Sequence, residues 1–458
     1  MAIEVIMKGN SKTLLLFMII FLISSCGKAV NEIFNAPTTK NQTGIIASCT
    51  SKAVAEELAT SQGIKFRVIN EKRKLIEFIG ISESELKILL PKAKLKQNKI
   101  YDGKLISGDF SAKAYIGNDP FYGAHVRDER SSNAGRYFPH LSQISALNVA
   151  NQGEGVTIAI IDTGVYYNHP HLSPNIKTNS NDRHGSNANN SDDDNNGYKD
   201  DYVGWDFYNG DAYPNDDNGH GTHVAGLAAS TYMGVAPKAK ILPIKVLSSE
   251  GRGDLGTIAA GIMYAIDNGA NIINMSLGGS GAGGITSDIR NMINSVKVAK
   301  SKNVLIIAAA GNGGNDGIGD CNDDSPVYPA NISEDNMISV ASVDEYNNLT
   351  DYSNFGGESV HVAAPGGDYF TGGLSSTAIA YCNGPCNQSN LPYVTMMGTS
   401  MATPVVAGMA AVLMSKNKSA SYKTVRNSIL NHCDRTDDLN GLVKCGGVVN
   451  VESSYRNL

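Results

Sequence analysis

The chain has 458 residues, 41% of them hydrophobic and 18% charged, with 48 glycines against 15 prolines. That length exceeds one ordinary domain, and the composition excludes collagen-like, coiled-coil and disordered classes. The net charge of −6 hides a division: residues 27–116 carry 15 Lys and Arg against 9 Asp and Glu (+6), whereas residues 117–458 carry 21 against 34 (−13). So acidic a main portion lacks the cationic face that phosphate contacts require, and no nucleic-acid partner is expected.

In chain order, residues 1–26 have the features of an export signal. Lys8 and Lys12 precede an apolar run from Leu14 to Ile23, too short to span a bilayer and the size of a signal-peptide core; Met7 is an alternative start. Ile23-Ser24-Ser25-Cys26 places small residues before a cysteine, which resembles a bacterial lipobox. Lipid on Cys26 would then anchor the chain to a membrane, while ordinary signal cleavage leaving a spare thiol is the plainer alternative. From Asn31 to Thr50 the polar sequence suggests a tether. A helix over Val54 to Ser61, strands at Lys65 to Val68 and Leu75 to Ile79, and a helix near Ser82 to Leu90 then give a small α, β, β, α unit with little core of its own.

Composition changes around Asn118-Asp119-Pro120. From Gly155 onward, apolar runs at Val156 to Ile161, Ile241 to Val246, Asn271 to Met275, Val304 to Ala310, Met337 to Val343 and Val360 to Ala363 alternate with turns and helical periods. Continuous runs of this length suit strands buried on both faces, and Thr257 to Asp267 and Asp288 to Ser301 supply crossover helices. The expected fold is a doubly wound, mainly parallel α/β sheet flanked by helices, which binds ligands at the carboxyl ends of its strands. Cys321, Cys382, Cys386, Cys433 and Cys445 show no metal-type spacing with histidines. Disulfides are expected, Cys382 with Cys386 and Cys433 with Cys445, leaving Cys321 odd.

Chemistry gathers at three strand and helix ends. Asp162-Thr163-Gly164 follows the first apolar strand, Asn218-Gly219-His220-Gly221-Thr222-His223 opens a small-residue helix, and Gly398-Thr399-Ser400-Met401-Ala402 opens another. A serine hydroxyl is a weak nucleophile until a neighbouring base takes its proton, and a helix N-terminus favours developing negative charge. His223 has the spacing of a zinc ligand with His220, but no third ligand follows, so core packing is expected of it. Singly these residues could be a turn cap, a helix-terminal histidine and an N-cap. Together they form an acid, base and nucleophile set.

The three motifs in the order Asp, His, Ser, with Ala308-Ala309-Ala310-Gly311-Asn312 after a buried strand, closely resemble the subtilisin-like serine proteases from about Asn118 to the C-terminus. The resemblance implies a serine endopeptidase that cleaves polypeptides through an acyl-enzyme, with Ser400 as nucleophile, His220 as base, Asp162 as its orienting carboxylate and Asn312 as oxyanion donor. It implies an extended substrate paired with Ser276-Leu277-Gly278, and Val327 on the floor of the pocket before the scissile bond, favouring small or medium apolar residues. Residues 117–458 would be the catalytic domain, most simply a monomer, and residues 27–116 its own inhibitory propeptide, removed by self-cleavage near Tyr115 to Asn118.

Between the Asp and His motifs, oxygen ligands alternate in Asp192, Asp194, Asn196, Tyr198, Asp200 and Asp201. The closing glutamate of an EF-hand is absent, so a structural calcium loop of the kind many subtilases carry is expected instead, with a solvated acidic loop as the bland alternative. Two features depart from the family pattern. His171 stands where many relatives have a calcium-binding aspartate, and the usual early tryptophan is missing from Arg136-Tyr137-Phe138. A catalytically silent surface lipoprotein on the same scaffold, or an acid-active relative with Glu for His, would lack part of the triad; all three members are present.

Overall fold

The computed structural model describes residues 44–48, 52–70, 75–79, 89, 94–98 and 138–458, apart from 184, 282–283, 315, 370–371 and 380–392. Toward the N-terminus, β1 (Gly44–Ser48), α1 (Lys52–Gln62), β2 (Lys65–Asn70), β3 (Leu75–Ile79) and β4 (Lys94–Asn98) form an antiparallel sheet in the order β2-β3-β1-β4. Gly44–Ser48 lies within the stretch expected to be a tether, yet it pairs with β3 on one side and β4 on the other. That corrects the reading: strand pairing with partners some thirty to fifty residues downstream leaves no local signal. The export signal, Cys26, the helix expected at Ser82 to Leu90 (save Leu89) and the cleavage region near Tyr115 fall outside the described residues.

The main sheet is built from elements that follow α2 (Pro139–Gln143). In chain order these are β5 (Thr157–Asp162), β6 (Trp205–Asp206), α3 (His220–Ala229), β7 (Lys240–Lys245), α4 (Leu255–Asp267), β8 (Ile272–Met275), β9 (Gly279–Ser280), α5 (Ser287–Ser301), β10 (Leu305–Ala309), β11 (Val327–Tyr328), β12 (Met337–Val343) and β13 (Val362–Pro365). There follow β14 (Leu374–Thr377), β15 (Tyr393–Met396), α6 (Thr399–Lys416), α7 (Tyr422–Asn431), β16 (Asp434–Arg435), β17 (Gly447–Val448) and α8 (Val451–Arg456). Nine strands run in the order β16-β17-β13-β12-β10-β8-β5-β7-β6, and only the β16–β17 pair is antiparallel.

Alternation along one strand shows why the apolar runs are continuous. Ile158 and Ile160 of β5 face the core filled by α3 and α6, while Ala159 and Ile161 face the one filled by α4 and α5. Helices thus cover both faces, as a parallel sheet requires. The chain leaves β5 for β7 on one side and returns through α4 to β8 on the other, so the order reverses at β5. Crevices at such a switch point, beyond the carboxyl ends of the strands, are where doubly wound sheets bind ligands. The fold is a mainly parallel central sheet with helices flanking both faces.

Cys433 and Cys445 are joined, their Cα atoms 6.5 Å apart, as expected. Cys321 is also disulfide-bonded, which corrects its assignment as the odd cysteine. No described helix is long and apolar enough to cross a membrane.

Candidate active site

Asp162 closes β5 at the switch point and is fully buried. Its Oδ1 lies 2.7 Å from His220 Nδ1 and accepts the Thr163 N–H at 2.7 Å. A carboxylate can only accept here, so the proton sits on Nδ1 and the Nε2 lone pair is left free to act as a base. His220 is the first residue of α3, and close approach to β5 explains the glycine after it. A Cβ on Gly221 would lie 2.1 Å from the Gly164 carbonyl oxygen and 3.1 Å from the Asp162 Cβ.

Burial pulls the His220 pKa down, but the Asp162 carboxylate and its hydrogen bond, joined by the more distant charge of Asp216, outweigh that and raise it above 6.5. Asp216 is a residue that motif reading passed over. One carboxyl group receives Asn218 N, Gly219 N, Thr222 N, Thr222 Oγ1 and Thr163 Oγ1 at 2.6–3.0 Å, tying the turn before His220 to the turn after Asp162. Its signal was a carboxylate three residues before a Gly-His pair. His223, one turn along α3, is buried with Nε2 against the carbonyl oxygens of Leu374 and Val394, and burial holds its pKa down to about 3. It is a neutral core histidine, as expected.

Ser400 lies in the first turn of α6, where backbone N–H groups have no helical acceptor. Its hydroxyl donates to the Ser276 carbonyl oxygen at 3.2 Å, and Ser276 Oγ donates back to the Ser400 carbonyl oxygen at 2.8 Å. Pro404 makes that second bond available. Having no N–H, it leaves the carbonyl four residues earlier, that of Ser400, without its helical donor, and Ser276 fills the place. Asn274 Nδ2 donates to Ser276 Oγ at 3.0 Å and completes the link to β8.

Asn312 Oδ1 accepts both the N–H and the hydroxyl of Thr399, each at 2.9 Å, which turns Nδ2 the other way. A Cβ built on Gly398, at φ +147°, would lie 3.4 Å from Asn312 Nδ2, 3.7 Å from its Oδ1 and 3.7 Å from the Ser400 backbone nitrogen. The two donors therefore border one small space beside Ser400. Thr399 was legible only as a motif flank. β9 pairs with β11, setting Val327 opposite Ser280, and a Cβ on Gly278 would touch Val327 Cγ1 at 3.1 Å. Gly278 and Val327 are thus neighbours, Ser276 is bonded to Ser400, and Leu277 packs against the core filled by α4 and α5.

Of the residues expected to hold a metal, Asp194 and Asp201 come together with Asp182, which the spacing argument missed because it lies twelve residues before Asp194. Each offers a carboxylate oxygen within 4.8 Å of the others. Asn179 Nδ2 donates to Asp194 and Asp201, Asn196 Nδ2 to Asp201 at 2.9 Å, and Tyr264 Oη to Asp201 at 2.6 Å. Burial and the neighbouring Asp182 push the Asp201 pKa up to about 6. Three carboxylate oxygens this close together could hold a metal ion, whose charge would offset their mutual repulsion. Asp192 instead receives Asn196 N and Gly197 N, Asp200 receives Asn189 N and Asn190 N, and the Tyr198 ring packs on Trp205, Phe207 and Tyr264. At the departures from the family pattern, Phe138 is buried edge-on against Tyr232, and His171 Nδ1 bonds the Tyr393 hydroxyl.

Similarity to known proteins agrees with this geometry. Residues 153–446, more than half of the chain, match the model of the subtilase family. Thermitase of Thermoactinomyces vulgaris is 35% identical over 328 residues, which cover 70% of this chain and 92% of thermitase. Subtilisin DY of Bacillus licheniformis is 33% identical over 308 residues, 66% of this chain and 92% of that protein. A cold adapted subtilisin-like serine proteinase of known crystal structure aligns with 66% of this chain and 90% of its own at 27% identity, with a TM-score of 0.49. With the buried Asp162 carboxylate bonded to a half-buried His220 at the switch point, and Ser400 at a helix N-terminus, the chain belongs to the subtilase family and is a serine endopeptidase.

Proposed function

We propose that this endopeptidase is exported as a proenzyme and hydrolyses extended polypeptide segments with Asp162, His220 and Ser400. The observation that carries the assignment is the 2.7 Å contact between Asp162 Oδ1 and His220 Nδ1, which leaves Nε2 as the basic atom. Ser400 turns its hydroxyl from the Ser276 carbonyl to His220 Nε2 and attacks the scissile carbonyl carbon as the proton passes to Nε2. Asn312 Nδ2–H and the Ser400 N–H stabilise the oxyanion. Imidazolium, steadied by Asp162, returns the proton to the leaving amine, and the C–N bond breaks. Water then attacks the acyl-enzyme with His220 again as base, releasing the second product and Ser400.

The substrate backbone pairs with Ser276-Leu277-Gly278, and Val327 shallows the pocket before the scissile bond, so small or medium apolar residues are preferred there. Asp182, Asp194 and Asp201, with the surrounding loop from Asp192 to Asp200, hold a calcium ion. When bound, it neutralises their repulsion and braces the connection between Asp162 and His220; it enters no chemical step.

Residues 27–116 act as the inhibitory propeptide. Their net +6 against −13 for the remainder favours docking, and the described part is a small separate sheet. Lipid on Cys26 holds the proenzyme to a membrane and departs with the propeptide, while the bond between Cys433 and Cys445 fits an exported chain. The test is hydrolysis of an unstructured polypeptide by purified enzyme, followed by a peptide library. Alanine at Asp162, His220 or Ser400 should each lower turnover about ten-thousandfold or more. A variant that keeps wild-type turnover would contradict the assignment, and strongest cleavage after Arg or Tyr would contradict the pocket.

A further inference from the structure

Lys245 ends β7 directly opposite Asp162 in the parallel register and is only 1% exposed. A buried ammonium is costly unless every donor is satisfied, and an apolar side chain would fill the same space without that cost. Here each of its three protons has an acceptor: Thr163 O at 2.8 Å, Leu247 O at 2.7 Å and Asp217 Oδ1 at 2.7 Å. Other groups near it are the Tyr208 ring, 5.9 Å away, and the Asp206 carboxylate, which feels its charge.

Those acceptors belong to the parts that must stay in register for catalysis. Thr163 follows Asp162, donates its N–H to Asp162 Oδ1, donates its hydroxyl to Asp216 at 2.9 Å and accepts the Gly221 N–H at 2.9 Å. Asp217 lies three residues before His220. Leu247 follows the strand end whose Val246 and Leu247 N–H groups hold the Asp162 carbonyl oxygen at 2.9 and 3.3 Å. One cation therefore joins the turn after the acid, the turn before the base and the end of the neighbouring strand.

We infer that Lys245, paired with Asp217, is a positioning residue for the Asp162–His220 couple: its ammonium holds the two turns at the separation at which the carboxylate orients the imidazole. The inference rests on the triad reading above. Misplacing reacting groups by a fraction of an ångström lowers turnover without changing how substrate binds, which separates this role from a merely structural one.

The experiment is steady-state kinetics on the full chain after its own processing, with active sites titrated, for Lys245→Met and Asp217→Asn, alongside thermal melting. Lys245→Met should lower kcat per titrated active site about tenfold or more and leave KM within about twofold, while Tm falls because the Thr163 and Leu247 carbonyl oxygens lose their donor. A kcat within about twofold of wild type, or a loss confined to KM, would overturn the inference. Should Lys245→Met not accumulate as folded protein, Asp217→Asn decides. At that half-exposed position, a fall in kcat of about threefold at constant KM supports the role, and unchanged kcat overturns it. Absence of peptidase activity in the wild type, or its persistence in Ser400→Ala, would remove the triad reading and this inference with it. Normal triad behaviour with an indifferent Lys245→Met removes the inference alone.

Discussion

Asp162 decides how His220 titrates. Burial alone would depress the imidazole, and the carboxylate more than reverses that, so the base titrates above 6.5. The base must be neutral to accept the Ser400 proton; kcat/KM should therefore rise with pH, its midpoint above 6.5. Asp162→Asn removes the largest raising influence. The midpoint should fall, and kcat should drop about ten-thousandfold, the magnitude known for this change in a Ser-His-Asp protease of a different fold. A profile that does not move would show that another charge sets the histidine. Stability follows the opposite limb: with the folded pKa raised, the pair's contribution is complete below the unfolded value of 6.5 and is lost as pH rises through the folded value. Asn312→Leu should cost about a hundred- to a thousandfold in kcat with little change in KM, a magnitude that comes from subtilisin itself and is carried over to this relative. A change in KM alone would mean that Asn312 binds substrate rather than oxyanion. At this scale Asp162 and His220, which the structure brings together, and Ser400, which opens a helix, could be singled out because each stands in a short motif at an element end. Asp216, Thr399 and Lys245 could not be. Their work is to orient other groups through contacts made only on folding, and Lys245 was masked by the apolar run that contains it.

Strands and helices were read most surely where both faces of the sheet are covered, since Thr157–Asp162 and Met337–Val343 are buried at every position. Ends were less certain. Asp254 caps α4 through Gly256 N and Thr257 N, starting the helix at Leu255, two residues before the periodic pattern becomes visible. Gly44–Ser48 went unread because its pairing is entirely non-local. The acidic loop was legible as composition, and spacing alone found two of its three converging carboxylates; Asp182 arrives through the fold. At this scale the expected outcome concerns calcium. Chelator should lower Tm, and calcium at about a hundredfold over its Kd should restore roughly 2.7 kcal/mol, or about 5 °C for a domain of this size. Asp201→Asn should flatten that response, and a melting curve indifferent to chelator would count against the site.

Across the whole molecule, the basic stretch 27–116 contains the strands of a small antiparallel sheet, and the acidic stretch 117–458 contains the residues 153–446 that match the subtilase family. If the first restrains the second until it is cut away, Ser400→Ala should accumulate as an unprocessed full-length chain, visible by gel and by intact mass. Trimming of that variant at the same bond when purified alone would place the cut with another protease. The central claim, that Ser400 is a nucleophile activated by the His220–Asp162 couple, is met most directly by covalent labelling with a fluorophosphonate probe. The wild-type enzyme should be labelled on Ser400 at one site per molecule, Ser400→Ala should not react, and His220→Ala should react far more slowly. Equal labelling of the wild type and Ser400→Ala, or none of the processed wild type, would contradict it.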